Sequence, residues 1–328
     1  MSTSHWAVPL IEQRADPFIL LHDNYYYFIA SVPEYDRLEL RRSETLAALV
    51  QAEPVVIWQK PDRGEMSELI WAPELHRIDS TWVIYFAAAP TREIKDGLFQ
   101  HRMFALTCTA DDPLTGEWRE CGRVETPLNS FSLDATHFVH QGKNWYLWAQ
   151  KDPAIPGNSN LYLAELANPW SLKSKPVMLS RPEYDWECVG FSVNEGPAVI
   201  RHGNRLFVSY SASATDENYC MGLLWIDIDA DPMAANNWQK SPVPVFKTSR
   251  ENRQFGPGHN SFTVAETGED VLVYHARNYT EIEGDPLYDP NRHTCIKTFS
   301  WDNDGMPVFG IPPANAPSGE SKKADEID

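Results

Sequence analysis

The chain has 328 residues, 42% of them hydrophobic, and its 28 Lys plus Arg against 46 Asp plus Glu leave a net charge of −18. So acidic a surface repels polyanions, which excludes nucleic acid and anionic membranes as expected partners. Length permits one large domain or two ordinary ones, while 12 Trp and 13 Tyr favour strands and flat ligand-stacking surfaces, and so an all-β protein.

The amino terminus, MSTSHWAVPLIEQRADP, has neither a basic start followed by a long apolar stretch nor a small-residue cleavage site. A soluble cytoplasmic protein is therefore expected, and no apolar run approaches the ~20 residues needed to span a bilayer. The first hairpin follows in QRADPFILLHDNYYYFIAS, residues 13–31, where Asp16 before Pro17 opens an apolar run, a polar turn and an aromatic return strand. Taken alone, Asp16 is a turn former.

The same pattern recurs along the chain. It is found in WAPELHRIDSTWVIYFAAA (71–89), DATHFVHQGKNWYLWAQ (134–150), NEGPAVIRHGNRLFVSYSAS (194–213) and GHNSFTVAETGEDVLVYHAR (258–277). The openers Asp16, Glu74, Asp134, Glu195 and His259 are spaced by 58, 60, 61 and 64 residues. Further strands fit between the hairpins, at 37–43, 103–110, 161–166, 221–228 and 295–301. Long amphipathic helical patterns are scarce, and the 25 prolines argue against βαβ units. Five such units predict a five-bladed β-propeller forming a single domain over residues 1–311. The segment 312–328, PPANAPSGESKKADEID, is polar and Pro-rich and is expected to be a disordered tail. The cysteines at 108, 121, 188, 220 and 295 form no CxxC pair and are expected to be reduced structural thiols.

In a propeller the five openers converge at one end of the central channel, so Asp16 gains company it would not need as a turn former. Asp134 sits between Leu133 and a strand, and Glu195 between an apolar run and Gly196-Pro197; both are poor places to solvate a carboxylate. Three acids at a channel mouth suit glycoside hydrolysis, which needs a carboxylic acid for the leaving oxygen and a carboxylate for water or the anomeric carbon. A divalent cation site is the competing reading, although no DxDxDG loop is present. Glu74 in WAPE is open between orienting a neighbour, contacting sugar and bonding backbone amides between blades. His259 is expected to face the channel, either as a structural residue or beside an ion, and Arg277 to hold a sugar hydroxyl or pair with an acid.

The ordered set ADP, WAPE, DAT, NEGP and GHNSF, spanning roughly 14–310, resembles glycoside hydrolase family 43, a group of five-bladed propellers. The resemblance implies an inverting mechanism with Asp16 as general base, Glu195 as general acid and Asp134 as the group that tunes and orients the acid. It also implies a carboxyl separation of ~6.5–9.5 Å between Asp16 and Glu195, room for one water. Trp71, Glu74, Phe191 and Arg277 become candidate substrate contacts, and His259 lies beside a channel ion, calcium or another, held largely through water; no cofactor is otherwise required. The stretch PEYDRLELRRSETL (33–46), together with the absence of a second β-sandwich domain, most resembles exo-acting α-L-arabinofuranosidases, which release L-arabinose from arabinan or arabinoxylan oligosaccharides. A β-xylosidase or endo-arabinanase on the same scaffold, a retaining fructan-acting enzyme built on Glu187-Cys188, and a non-catalytic glycan-binding propeller are the alternatives.

Overall fold

Each opener stands in the first strand of a separate antiparallel sheet in the computed structural model, which describes residues 6–315. Blade I comprises Ala15–His22, Tyr25–Ser31, Arg37–Ser43 and Val55–Gln59, and blade II Glu68–Ile78, Thr81–Ala89, Arg102–Cys108 and Arg119–Arg123. Blade III runs through Ser132–His140, Lys143–Gln150 and Asn160–Asn168, with the short strands Ser171–Leu172 and Val177–Ser180 both pairing with the third. Blade IV comprises Asn194–His202, Arg205–Ala212, Cys220–Asp227 and Gln239–Lys240, and blade V Phe255–Val264, Asp270–Arg277 and His293–Thr298. The first strand of every blade packs against that of the next, and blade V against blade I, closing a five-bladed ring.

Blade V departs from the expected four strands. The stretch 295–301 divides: its first part belongs to His293–Thr298, and Ser300–Trp301 leaves to pair with Pro307–Val308. The fourth position is filled from the other end of the chain. Thr294 O accepts from Leu10 N (2.8 Å) and Ile11 N (3.2 Å), and Thr294 N donates to Ile11 O at 2.9 Å. Blade V is thus built from both ends of the described chain, and the outer edge of its third strand is covered.

The described part of the supposed tail is also held. Asn252 Nδ2 donates to Pro312 O (2.7 Å) and Gln254 Nε2 to Asn315 Oδ1 (2.5 Å), so residues 312–315 lie against the loop before blade V; the remaining 316–328 fall outside the described residues. All five cysteines are unpaired. No helix among the described residues is long and apolar enough to cross a membrane.

Most of the core lies between blades. Tyr27 and Trp82 pack at the I–II interface, Tyr85 on Tyr146 at II–III, and Phe28 with Val273 and Ile296 at V–I. These wedge-shaped layers are where the aromatic excess goes.

One local device recurs five times. In each first strand two residues oppose a single residue of the second: Asp16-Pro17 against Ala30, Ala72-Pro73 against Phe86, Asp134-Ala135 against Trp148, Gly196-Pro197 against Tyr210, and His259-Asn260 against Tyr274. The first residue of each pair has a left-handed backbone, with φ of 54°, 47°, 55°, 53° and 44°. These are β-bulges, which locally kink a strand and re-aim its side chains. Three carry proline second, where the ladder no longer needs an N–H donor. The left-handed backbone costs a non-glycine residue ~1–3 kcal/mol, strain that folds store at functional positions.

Candidate active site

The bulges turn Asp16, Asp134 and His259 into one cavity, and Glu195, one residue before the bulge of blade IV, joins them. Trp71 and Phe191 also line it, together with Arg292 and Tyr219, which the repeat pattern did not single out. The rest of the wall is largely apolar and includes Leu98, Phe99, Phe131, Val193 and Leu287. A mostly apolar pocket with a few convergent polar groups is the usual form of a small-molecule site.

Asp16 is buried and bonded from several sides. Ser31 Oγ donates to its Oδ2 at 2.6 Å while accepting from Ala72 N at 2.8 Å, so the hydroxyl proton is committed to the carboxylate. Its Oδ1 lies 3.2 Å from His259 Nδ1 and 3.5 Å from Arg292 Nη1. Asp16 N donates to His275 Nδ1 at 3.0 Å, which fixes that ring as an acceptor there with its proton on Nε2. Burial pushes the Asp16 carboxyl up, but the charges of His259 and Arg292 and the hydrogen bonds outweigh it and hold the group well below the usual carboxylate range. Asp16 is held as the carboxylate.

Glu195 is displaced the other way. It is half-buried at the cavity, and Tyr219 Oη donates to its Oε1 at 2.9 Å. Burial and the negative charge of Asp134 push it up to about 8, against the opposing pull of His259 and Tyr219. Glu195 therefore holds its proton at neutral pH. Asp134 is pushed up to about 6 by burial, and further by Asp16, against His259 and the 3.0 Å hydrogen bond from Gly196 N to its Oδ2. His259 lies 3.7 Å from that same oxygen. Burial alone would lower the imidazole, but Asp134 and Asp16 raise it to about 10, so it is a cation between two carboxylates.

The cavity thus brings together one carboxyl held ionised, one held protonated and a third carboxyl between them in pKa. The model of the glycosyl hydrolases family 43 matches residues 7–307. The chain belongs to that family.

An extracellular exo-α-(1→5)-L-arabinofuranosidase of Streptomyces avermitilis is 53% identical over 309 residues, covering 94% of this chain but 63% of that protein. Its namesake from Streptomyces chartreusis is 51% identical over 280 residues, 85% of this chain and 84% of the other. The crystal structure of an α-L-arabinofuranosidase from Lactobacillus brevis superposes with a TM-score of 0.94 at 59% identity, over 95% of this chain and 98% of that one. The chain thus spans less than two thirds of the Streptomyces avermitilis protein. The expected cytoplasmic location is corrected by these comparisons, since both Streptomyces relatives are named extracellular.

Two of the expected substrate contacts stand elsewhere. Glu74 is not in the cavity wall: it lies two residues beyond the left-handed position of blade II, which Ala72 occupies. Its Oε2 meets His76 Nε2 at 2.9 Å. Burial pushes Glu74 up to about 8 and His76 down to about 3, so the two form a neutral pair. Arg277 is buried behind the wall, its Nη1 and Nη2 donating to the carbonyls of Thr215 (2.5 Å) and Pro286 (2.6 Å), and its Nε to Asp289 Oδ1 (3.2 Å). The guanidinium in the cavity belongs to Arg292, whose Nη2 donates to Tyr35 Oη at 2.8 Å. Trp71 does line the cavity, with His101 stacked on its ring at 3.6 Å and 18°. Phe191 stands on the rim, 51% exposed.

The Nδ1 side of His259 faces the carboxylates of Asp16 and Asp134, at 3.2 and 3.7 Å, and so is taken up against direct ligation of an ion; these contacts do not bear on the expected ion held through water. Glu187, of the retaining alternative, is buried in the short turn Asp185–Glu187 before blade IV, where it accepts from Glu183 N, Tyr184 N, Asn194 Nδ2 and Tyr210 Oη. It holds a turn and lies outside the cavity wall.

Proposed function

We propose that this protein is an inverting, exo-acting α-L-arabinofuranosidase that releases L-arabinose from arabinan or arabinoxylan oligosaccharides. The opposite displacement of Asp16 and Glu195 around one cavity carries the reading: one carboxyl is held ionised and the other protonated at the same pH. Asp16 takes a proton from water as that water's oxygen attacks the anomeric carbon. Glu195 gives its proton to the departing glycosidic oxygen, so the C–O bond breaks as the new one forms on the opposite face. Asp134 keeps Glu195 protonated until the transfer, and the His259 and Arg292 cations keep Asp16 ionised. Arabinose as the sugar is supported by the names of the relatives, and their extracellular naming supports action outside the cell.

The test is time-resolved proton NMR of the products from arabinotriose and xylotriose. The reading expects arabinose and the shortened arabinobiose from arabinotriose and no xylose from xylotriose, the released arabinose appearing first as the β-anomer and then mutarotating. Initial α-arabinose would overturn inversion, and xylose release would overturn the sugar assignment.

A further inference from the structure

Leu98, Phe99 and Phe131 separate the catalytic cavity from a second cleft that they also line. Into that cleft come Lys95, Arg102, Arg123 and Lys151, with Glu65 and Asp96 as the acidic residues of its wall. This local excess of cations stands out on a chain whose acids outnumber its bases 46 to 28. Clefts lined by one sign of charge focus the field and concentrate the opposite charge.

The two guanidinia converge on a single neutral oxygen. Asn129 Oδ1 accepts from Arg102 Nε (3.3 Å) and Nη2 (3.1 Å), and from Arg123 Nη2 (2.7 Å). Burial and the charge of Arg123 lower the Arg102 pKa, against the opposing pull of Glu125 and Glu65. The acids nearest Arg123 are Glu65 at 3.8 Å and Glu125 at 3.4 Å, with side chains 68% and 73% exposed, and water screens such pairs strongly. Lys95 is exposed and has no side-chain partner among the described residues. Asn129 is exposed as well, so its amide oxygen can yield its place.

We propose that this cleft is a subsite for an anionic sugar, a uronate-type residue on the leaving-group side of the arabinofuranosyl unit. The proposal rests on the glycosidase reading for its position relative to the scissile bond. A sugar carboxylate takes the place of Asn129 Oδ1 and receives the forked donors of Arg102 and Arg123, a geometry that guanidinium offers and ammonium does not. Phe99 and Phe131, common to both cavities, form the apolar ridge over which the saccharide passes. The acidic surroundings admit one carboxylate at this spot while disfavouring long polyanions.

Calorimetric titration of the whole protein with a galacturonate disaccharide at low ionic strength tests the subsite. Arg123→Gln and, as a substitution at an exposed site, Lys95→Gln are titrated beside it, and arabinotriose turnover is followed in all three. Binding is expected in the wild type, weakened about fivefold or more by Arg123→Gln and by added NaCl, and weakened to a smaller extent by Lys95→Gln. Arabinotriose carries no charge, so Arg123→Gln is expected to lower its kcat/KM by a smaller factor than it lowers the affinity for the galacturonate disaccharide. No binding at low salt, or binding that neither substitution changes, overturns the subsite. If the wild type fails to cleave arabinotriose, the glycosidase reading falls while the titration still decides whether an anion site exists.

Discussion

Tyr219 joins the proposed acid to the surroundings of the base: its hydroxyl donates to Glu195 Oε1 at 2.9 Å, and its ring lies nearly parallel to His275, 5.6 Å away at 9°. His275 in turn accepts the backbone N–H of Asp16. Each of the two carboxyls is therefore held by a group from another blade or loop, while burial and the neighbouring charges set its pKa.

Asp16→Asn and Glu195→Gln are each expected to lower kcat on arabinotriose by ~10²–10⁴-fold with the fold retained. Circular dichroism checks the fold. Arabinotriose is the right substrate because an activated aryl leaving group departs without a proton and masks loss of the acid. Near wild-type turnover in either variant would remove the assigned roles.

Asp134→Asn separates tuning from proton transfer. The amide oxygen can still accept from Gly196 N, but the negative charge that raises Glu195 is gone. Glu195 must be protonated to act, so activity falls as pH rises through its pKa. Lowering that pKa is expected to move the alkaline limb of the kcat/KM profile to lower pH, with the limb unmoved as the contrary result.

Ser31→Ala acts on the other limb. It removes the 2.6 Å donor to Asp16 Oδ2 and orphans the Ala72 N–H. Asp16 works ionised, so losing a donor raises its pKa and moves the acid limb of kcat/KM to higher pH. Burying an unsatisfied N–H costs ~1–3 kcal/mol of stability. A variant with reduced thermal stability but an unchanged acid limb would show that Ser31 is structural and does not tune the base.

Arg277 offers a contrast with Arg292. The buried Arg277 clamps the carbonyls of Thr215 and Pro286, on two segments that line the cavity through Thr215, Asp285 and Leu287. Arg277→Met is expected to raise KM by ~10-fold or more through loosened walls, because small misplacements of a bound sugar are costly. The pH limbs are expected to stay where they are, since Asp16 is untouched. A shifted acid limb with unchanged KM would instead place Arg277 among the groups that tune the base.

Much of this site was legible because the bulges repeat with the blades. Asp16, Asp134 and His259 each occupy the left-handed position, so spacing alone brought them together. Glu74 was aligned by its charge, but Ala72 takes the equivalent place, and the two-residue offset puts the carboxyl against His76. Glu195 is offset by one, with Gly196 at the bulge, and still reaches the cavity. Arg292 was not legible: it follows the loop after Arg277, and nothing in the pattern shows that this loop returns the later arginine to the site. Ser31 ends the first hairpin, and its value lies in a contact between blades that no single repeat displays.

The buried neutral pair of Glu74 and His76 makes stability depend on pH. The Glu74 folded pKa, about 8, exceeds the unfolded value near 4.3, so its contribution is fully present below ~4.3 and is lost as pH rises through about 8. Glu195 and His259 have the same sign, with folded values of about 8 and about 10. The buried neutral histidines act oppositely, but His76 and His275, both near 3 in the fold, complete their change around the unfolded value of ~6.5 and below. Between pH 7 and 9 the raised groups dominate, and the thermal unfolding midpoint is expected to fall as pH rises. Glu74→Gln keeps the size and an amide partner for His76 while removing the ionisable group. It is expected to flatten the decline and to unfold a few degrees above the wild type at pH 9, with little difference at pH 5. A parallel pair of curves across that range would mean that Glu74 does not titrate in the fold.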